Sequence, residues 1–118
     1  MPIFGSLMEG MTGESETGWQ RAGVVIGDIP ATRPLAVMVA GRGVLLCRSG
    51  REVFAIGAQC PHAGQSLAGG RVRSGTIACP HHGARFRLSD GASLGGPTRR
   101  ALVTHEVRIE EGEVWVRV

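Results

Sequence analysis

Aromatic residues make up only 4% of this 118-residue chain, and tyrosine is absent. The basic residues therefore lack the interleaved rings on which single-stranded nucleic acids stack, and no nucleic-acid partner is expected. Three cysteines are too few for a disulfide framework, and unpaired thiols fit a reducing cytoplasm. No apolar run approaches the roughly twenty residues of a membrane span. The N-terminus also lacks the basic head and apolar core of an export signal, so the expectation is a cytoplasmic protein with no membrane association. No helical period is sustained anywhere. Nor is there a nucleophile with a base beside it, a phosphate-cradling glycine loop or a carboxylate pair at useful spacing. Chemistry on a small-molecule substrate is therefore not expected, and Glu110-Glu111 reads as part of a turn.

Glycine is abundant, with 19 residues, as suits a loop-rich β protein in which tight turns recur. The length makes one domain, large enough to bury roughly 65% of its unfolded surface.

Two of the turns carry chemistry. Cys60-Pro61-His62-Ala63-Gly64 and Cys79-Pro80-His81-His82-Gly83 each supply one thiol and at least one imidazole within four positions. Sixteen residues, 63–78, separate the Cys60/His62 pair from Cys79. Soft sulfur with borderline nitrogen suits zinc, iron–sulfur clusters and some copper sites, so ligand type alone leaves the metal open. A proline inside each loop and a glycine after it let backbone N–H groups turn inward. Inward N–H groups serve bridging sulfides, which accept hydrogen bonds, whereas a lone zinc ion has no sulfides to satisfy. Cys79-Pro80-His81 repeats the spelling of Cys60-Pro61-His62, so the residues leave both His81 and His82 open as ligands.

These two motifs, Cys-x-His and then Cys-x-x-His followed by Gly, closely resemble those of the Rieske proteins. The resemblance runs over about 19–118. It implies an all-β Rieske iron–sulfur fold of stacked antiparallel sheets, with a cluster-binding part at about 58–98 holding two ligand loops. It also implies one [2Fe-2S] cluster per chain, with Cys60 and Cys79 on one iron and His62 and His82 on the other. His81 then becomes a surface loop residue beside the cluster. Gly96-Pro97-Thr98 matches the segment that covers the cluster as a third loop in those proteins. Two departures bear on potential. The extra, disulfide-forming cysteines of high-potential members correspond to Gln65 and His81, and their hydroxyl donors Ser and Tyr correspond to Ala84 and Phe86. Neither Ala84 nor Phe86 can donate to sulfur, so the reduced state gains less support and the potential is expected near about −150 mV, the low end of the Rieske span.

Along the chain, 1–18 reads as a flexible N-terminal extension, or as a docking segment exposing Ile3, Phe4, Leu7 and Met8. Strands are expected at 19–26, 35–40, 44–48, 52–58, 76–78, 86–88, 103–109 and 113–118, and a short strand or turn at 71–73. Turns are expected at Gly41-Arg42-Gly43, Ser49-Gly50-Arg51 and Glu110-Glu111-Gly112, and residues 89–97 form a glycine-rich passage. Both ligand loops leave strand ends, where a sheet can hold them in register. Val53 and Ala55 face away from Phe54 and Ile56, and Trp115 faces away from Val114 and Val116. Cys47, after Val44-Leu45-Leu46, reads as a buried small hydrophobe.

The formal net charge is +3. Arg71, Arg73, Arg85, Arg87, Arg99 and Arg100 lie near or after the ligand loops, where they steer an acidic partner or simply sit solvated on strand faces. The resemblance implies a soluble one-electron carrier like the Rieske ferredoxins that pass electrons from a flavin-dependent reductase to a ring-hydroxylating dioxygenase. Such ferredoxins are usually acidic, so the basic charge leaves the partners open. The other readings are a small redox subunit like that of nitrite reductase, and a structural zinc module. There is no room for the catalytic domain of an oxygenase large subunit.

Overall fold

Glycines set the strand boundaries. In the computed structural model, which describes residues 18–61, 64, 66–81, 83–96 and 99–118, the strands are β1 (Trp19–Val25), β2 (Leu35–Val39), β3 (Arg42–Ser49), β4 (Glu52–Gly57), β5 (Arg71–Arg73), β6 (Thr76–Ala78), β7 (Arg85–Arg87), β8 (Ser93–Gly95), β9 (Thr104–Glu110) and β10 (Glu113–Arg117). A single 3-10 turn, Ile26–Asp28, follows β1. Among the described residues no helix is long and apolar enough to cross a membrane. The reading of residues 1–18 as an extension falls outside the described residues except at Gly18, whose carbonyl accepts from Val118 N–H (3.2 Å).

Four hairpins close on two-residue turns, and three of these turns, Ala40-Gly41, Ser74-Gly75 and Glu111-Gly112, share one backbone form. In each, both residues have positive φ (51° and 80°, 50° and 76°, 53° and 80°), the signature of the type I′ turn that matches strand twist. This corrects the expected turn at Gly41-Arg42-Gly43. Arg42 and Gly43 belong to β3, paired with Val39 and Met38, because Ala40 takes the left-handed position usually left to Gly, Asn or Asp. Ser49 likewise belongs to the ladder, opposite Glu52.

The pairing is antiparallel throughout. One sheet of six strands runs β1-β10-β9-β4-β3-β2, and a second of four runs β5-β6-β7-β8. The first sheet curls until its end strands, β1 and β2, approach each other. Inside the curl lie Ile29, Val39, Val44, Leu46, Ala55, Val114 and Val116. The opposite face of β3 and β4 contributes Leu45, Cys47 and Ile56 to a second core, completed by Leu67, Val72, Ile77, Phe86 and Leu88. The β3–β4 pair is thus a wall with a core on either side, and the alternation expected for residues 53–56 is the alternation between cores.

A backbone hydrogen bond ties β5 of the second sheet to the segment between β1 and β2. Val72 N–H donates to the Thr32 carbonyl (2.9 Å) in the loop before β2, while within the first sheet Gly57 N–H donates to that of Val103 (2.9 Å) and extends the β4–β9 pairing. Strand β8 lies within the glycine-rich passage of residues 89–97, where no strand was expected. Its pairs Arg85↔Gly95 and Phe86↔Ser93 skip Leu94 as a bulge, and short bulged strands rich in Gly leave almost no period to read. The strand expected at 86–88 begins one residue earlier, with Leu88 in the following turn.

On the solvent side of β1, β10 and β9, Arg21, Trp115 and Arg108 stand in register. The Arg21 guanidinium lies over Trp115 (5.1 Å to the ring centroid) and that of Arg108 over Trp19 (4.7 Å). Rings and arginines are therefore interleaved in space although not in sequence. Arg21 pairs with Glu113 (3.6 Å), Arg108 with Glu110 (3.0 Å) and Arg117 with Glu106 (3.2 Å). The balance of charge on this face removes the positive field that a polyanion needs.

Candidate functional site

Cys60 and Cys79 are 1% and 4% exposed and both belong to the core between the two sheets. None of the three cysteines is in a disulfide among the described residues. Each of the two reactive candidates is presented by a loop of the same construction. In the first, Gly64 N–H donates to the Cys60 carbonyl (2.8 Å), and in the second Gly83 N–H donates to that of Cys79 (3.2 Å). Each closing glycine has positive φ, 68° and 72°, which turns the chain sharply without a Cβ penalty.

The base of each loop is clamped. Leu67 N–H donates to the Ala58 carbonyl (2.8 Å) beneath the first, where Gln59 and Ser66 also form a bridge. Cys79 N–H donates to the Ala84 carbonyl (2.7 Å) beneath the second. The first loop rises from the end of β4, and the second joins β6 to β7. Both cysteines therefore stand on sheet ends, and the loops need little order of their own.

Under the second loop, Ala84 and Phe86 are fully buried. They present only carbon, so this part of the site has no hydroxyl donor. His81 is exposed in the second loop, in keeping with its reading as a surface residue. His62 and His82 lie outside the described residues, as do Gln65, Pro97 and Thr98. Among the described residues no three His, Cys, Asp or Glu side chains converge. Two buried thiols on paired loops of one design nonetheless suit a cluster held by two sulfurs and two nitrogens, with one pair of ligands from each loop.

Of the arginines singled out in the sequence, Arg71 and Arg73 on β5 and Arg85 and Arg87 on β7 project to solvent around the buried Val72 and Phe86. Arg87 is held by Asp90 (2.8 Å), and Arg85 donates to the Leu94 carbonyl (3.5 Å). Arg99 and Arg100 are exposed. Sequence reading missed an open groove of about 770 Å³ beside the first ligand loop, which brings together Arg42, Arg100, Val103 and His105. These residues come from two distant stretches of chain, and no local pattern joins them.

The profile of the Rieske [2Fe-2S] domain family matches residues 19–106. Human apoptosis-inducing factor 3 is 39% identical over 74 residues, which are 63% of this chain but 12% of that protein. This chain thus spans a small part of that relative. The 3-phenylpropionate/cinnamic acid dioxygenase ferredoxin subunit of Escherichia coli K12 is 29% identical over 92 residues, 77% of this chain and 86% of the subunit. A chain in the solved complex of reduced oxygenase and oxidised ferredoxin of carbazole 1,9a-dioxygenase superposes with a TM-score of 0.77. It is 28% identical, over 85% of this chain and 93% of its own.

Proposed function

The chain belongs to the Rieske [2Fe-2S] domain family, which carries one such cluster per domain, and from that premise we propose that it is a one-electron carrier rather than an enzyme. Cys60 and Cys79 would hold one iron, and His62 and His82 the other. When bound, the cluster supplies one electron reversibly at nearly fixed geometry. The protein contributes rigidity, burial and the tuning of potential.

The observation that carries this reading is the repeated loop, a buried cysteine whose carbonyl is capped by the glycine four residues on, on two neighbouring strand ends. The clamps at the loop bases hold the thiolate ligands against displacement as charge changes. Burial of both sulfurs in the core excludes water from that side. The carbon-only floor of Ala84 and Phe86 withholds hydrogen bonds from the sulfurs and so keeps the potential low.

The partners would be a flavin-dependent reductase as donor and a terminal oxygenase of the ring-hydroxylating kind as acceptor, working in the cytoplasm. Support comes from the likeness to ferredoxins of two dioxygenase systems over most of the chain. The first test is the iron, zinc and acid-labile sulfide content of protein purified without oxygen. Two irons and two sulfides per chain are expected. Zinc without sulfide would sink the carrier reading. His62→Ala and His82→Ala should each lose the cluster while His81→Ala keeps it, and the reverse result for the last two would reassign the ligand.

A further inference from the structure

The second sheet and its loops carry the net charge of the whole chain. Residues 69–96 hold four arginines and one aspartate, whereas the rest of the chain holds nine basic and nine acidic side chains, so the formal +3 resides here. Strand alternation puts all four guanidinium groups on one face. Val72, Ile77 and Phe86 point into the core and are at most 2% exposed, while Arg71, Arg73, Arg85 and Arg87 flank Val72 and Phe86 on the solvent side.

Register arranges the arginines in two columns. Arg71 lies opposite Ala78, which lies opposite Arg85, and Arg73 lies opposite Thr76, which lies opposite Arg87. The columns on β5 and β7 are therefore two strand spacings apart, roughly 10 Å, with roughly 7 Å between the members of each column. Between them β6 offers only the small side chains of Thr76 and Ala78, both half-buried, which floor a shallow aisle. Arg85 follows Ala84, whose carbonyl accepts from Cys79 N–H (2.7 Å), so the aisle begins at the second ligand loop.

Little on the protein neutralises this face. Arg87 pairs with Asp90 (2.8 Å). Arg85 donates to the Leu94 carbonyl (3.5 Å), a neutral group that leaves its charge uncompensated. No ion pair or side-chain hydrogen bond engages Arg71 or Arg73 among the described residues. The four guanidinium groups repel one another across the aisle, and neither β5 nor β6 carries a carboxylate to relieve them.

We propose that this face docks a segment of a protein partner bearing several consecutive carboxylates, laid along β6 between the two arginine columns. An extended strand alternates its side chains to opposite sides, so successive Asp or Glu residues reach the β5 and β7 arginines in turn, where guanidinium pairs with carboxylate. Other occupants lack a matching feature. Phe86, the one Phe, Trp or Tyr of residues 69–96, is buried and leaves no ring for bases to stack on. Among the described residues the exposed large apolar side chains, Val25, Met38, Val103 and Ile109, all lie off this sheet, so a lipid surface finds no anchor. Strand addition at β5 is closed too, because Val72 N–H is taken by the Thr32 carbonyl (2.9 Å). That the partner exchanges electrons rests on the carrier reading, whereas the docking itself does not.

The test uses the full-length holoprotein and a hexaglutamate peptide as probe, with binding followed by calorimetry. Arg71→Glu with Arg73→Glu should weaken binding by about tenfold or more, as the loss of two exposed charge pairs implies. Arg42→Glu with Arg51→Glu, the same change of charge on the first sheet, should change it by less than about twofold. Asp90→Asn keeps the oxygen that accepts from Ala92 N–H (3.0 Å) but releases Arg87, and should tighten binding by about twofold or more.

Equal losses from both charge-reversed pairs would overturn the proposal in favour of net charge alone. Asp90→Asn without tightening would overturn the seat between the columns. Glutarate matching the peptide in affinity would overturn it in favour of a small-anion site. Oligothymidylate of equal charge binding more tightly than the peptide, or phosphatidylserine vesicles displacing it, would overturn it in favour of a nucleic-acid or a lipid face. Failure of the peptide to bind holoprotein whose cluster still cycles would overturn docking and leave the carrier reading standing. Binding by protein that purifies with zinc and no sulfide would overturn the carrier reading and leave docking standing.

Discussion

Gly96 rests on Ala84: a Cβ placed on Gly96 would stand 2.7 Å from the Ala84 Cα and 3.2 Å from its nitrogen. The segment leaving β8 is thereby laid backbone to backbone on the second ligand loop, and Gly96 also has φ of 101°.

Gly96→Ala should consequently cost roughly 2–4 kcal/mol, combining an unfavourable backbone conformation with a contact that cannot relax through a flexible side chain. Gly50→Ala, at φ 61° in a hairpin turn with open space around it, should cost only about 1–2 kcal/mol. Denaturant titration of both variants checks the ratio. Equal losses would mean that the second loop yields to the added methyl.

Cys47 offers a separate check. Burial pushes its thiol up to about 12 from 9.0, so as pH rises through 9.0 the unfolded chain releases this proton while the native chain keeps it. Stability from this group is complete below pH 9.0 and declines toward pH 12 by about 1.4 kcal/mol per unit. Cys47→Ala should flatten that part of the stability–pH curve. An unchanged slope in the variant would show that other groups set it.

Potential is the third prediction. With Ala84 and Phe86 giving no hydroxyl, a midpoint near about −150 mV is expected. Phe86→Tyr combined with Ala84→Ser should raise it, provided the added hydroxyls reach sulfur. A spectroelectrochemical titration of the double variant that shows no upward shift would refute this account of the tuning.

Much of this architecture was legible in the chain because β9 and β10 alternate in burial and because β3 and β4 are apolar runs, buried on both faces. Val53 and Ala55 do face away from Phe54 and Ile56, and Trp115 away from Val114 and Val116. The placing of the Cys60 and Cys79 loops at strand ends was legible from their motifs and flanking strands, whereas the burial of both thiols was not. Strand β8 was not legible because Ser93-Leu94-Gly95 is too short and too bulged to show a period. The turn at Ala40-Gly41 was misread because alanine seldom adopts positive φ. The basic groove was invisible for another reason: Arg42, Arg100 and His105 meet only after β3, β4 and β9 are paired.

The two-sided wall of β3 and β4 also bears on the order of assembly. Its strands are joined by the Gly50-Arg51 turn, and β2 adds through Ala40-Gly41, so this meander closes over short stretches of chain. Pairing of β1 with β10 must bring together the two ends of the domain, and such distant pairings form late. Leu46→Ala should therefore slow refolding, while Val116→Ala should chiefly speed unfolding; stopped-flow kinetics showing the reverse would place the closure first. The lobe that carries both ligand loops thus receives its floor before the ends of the chain have met.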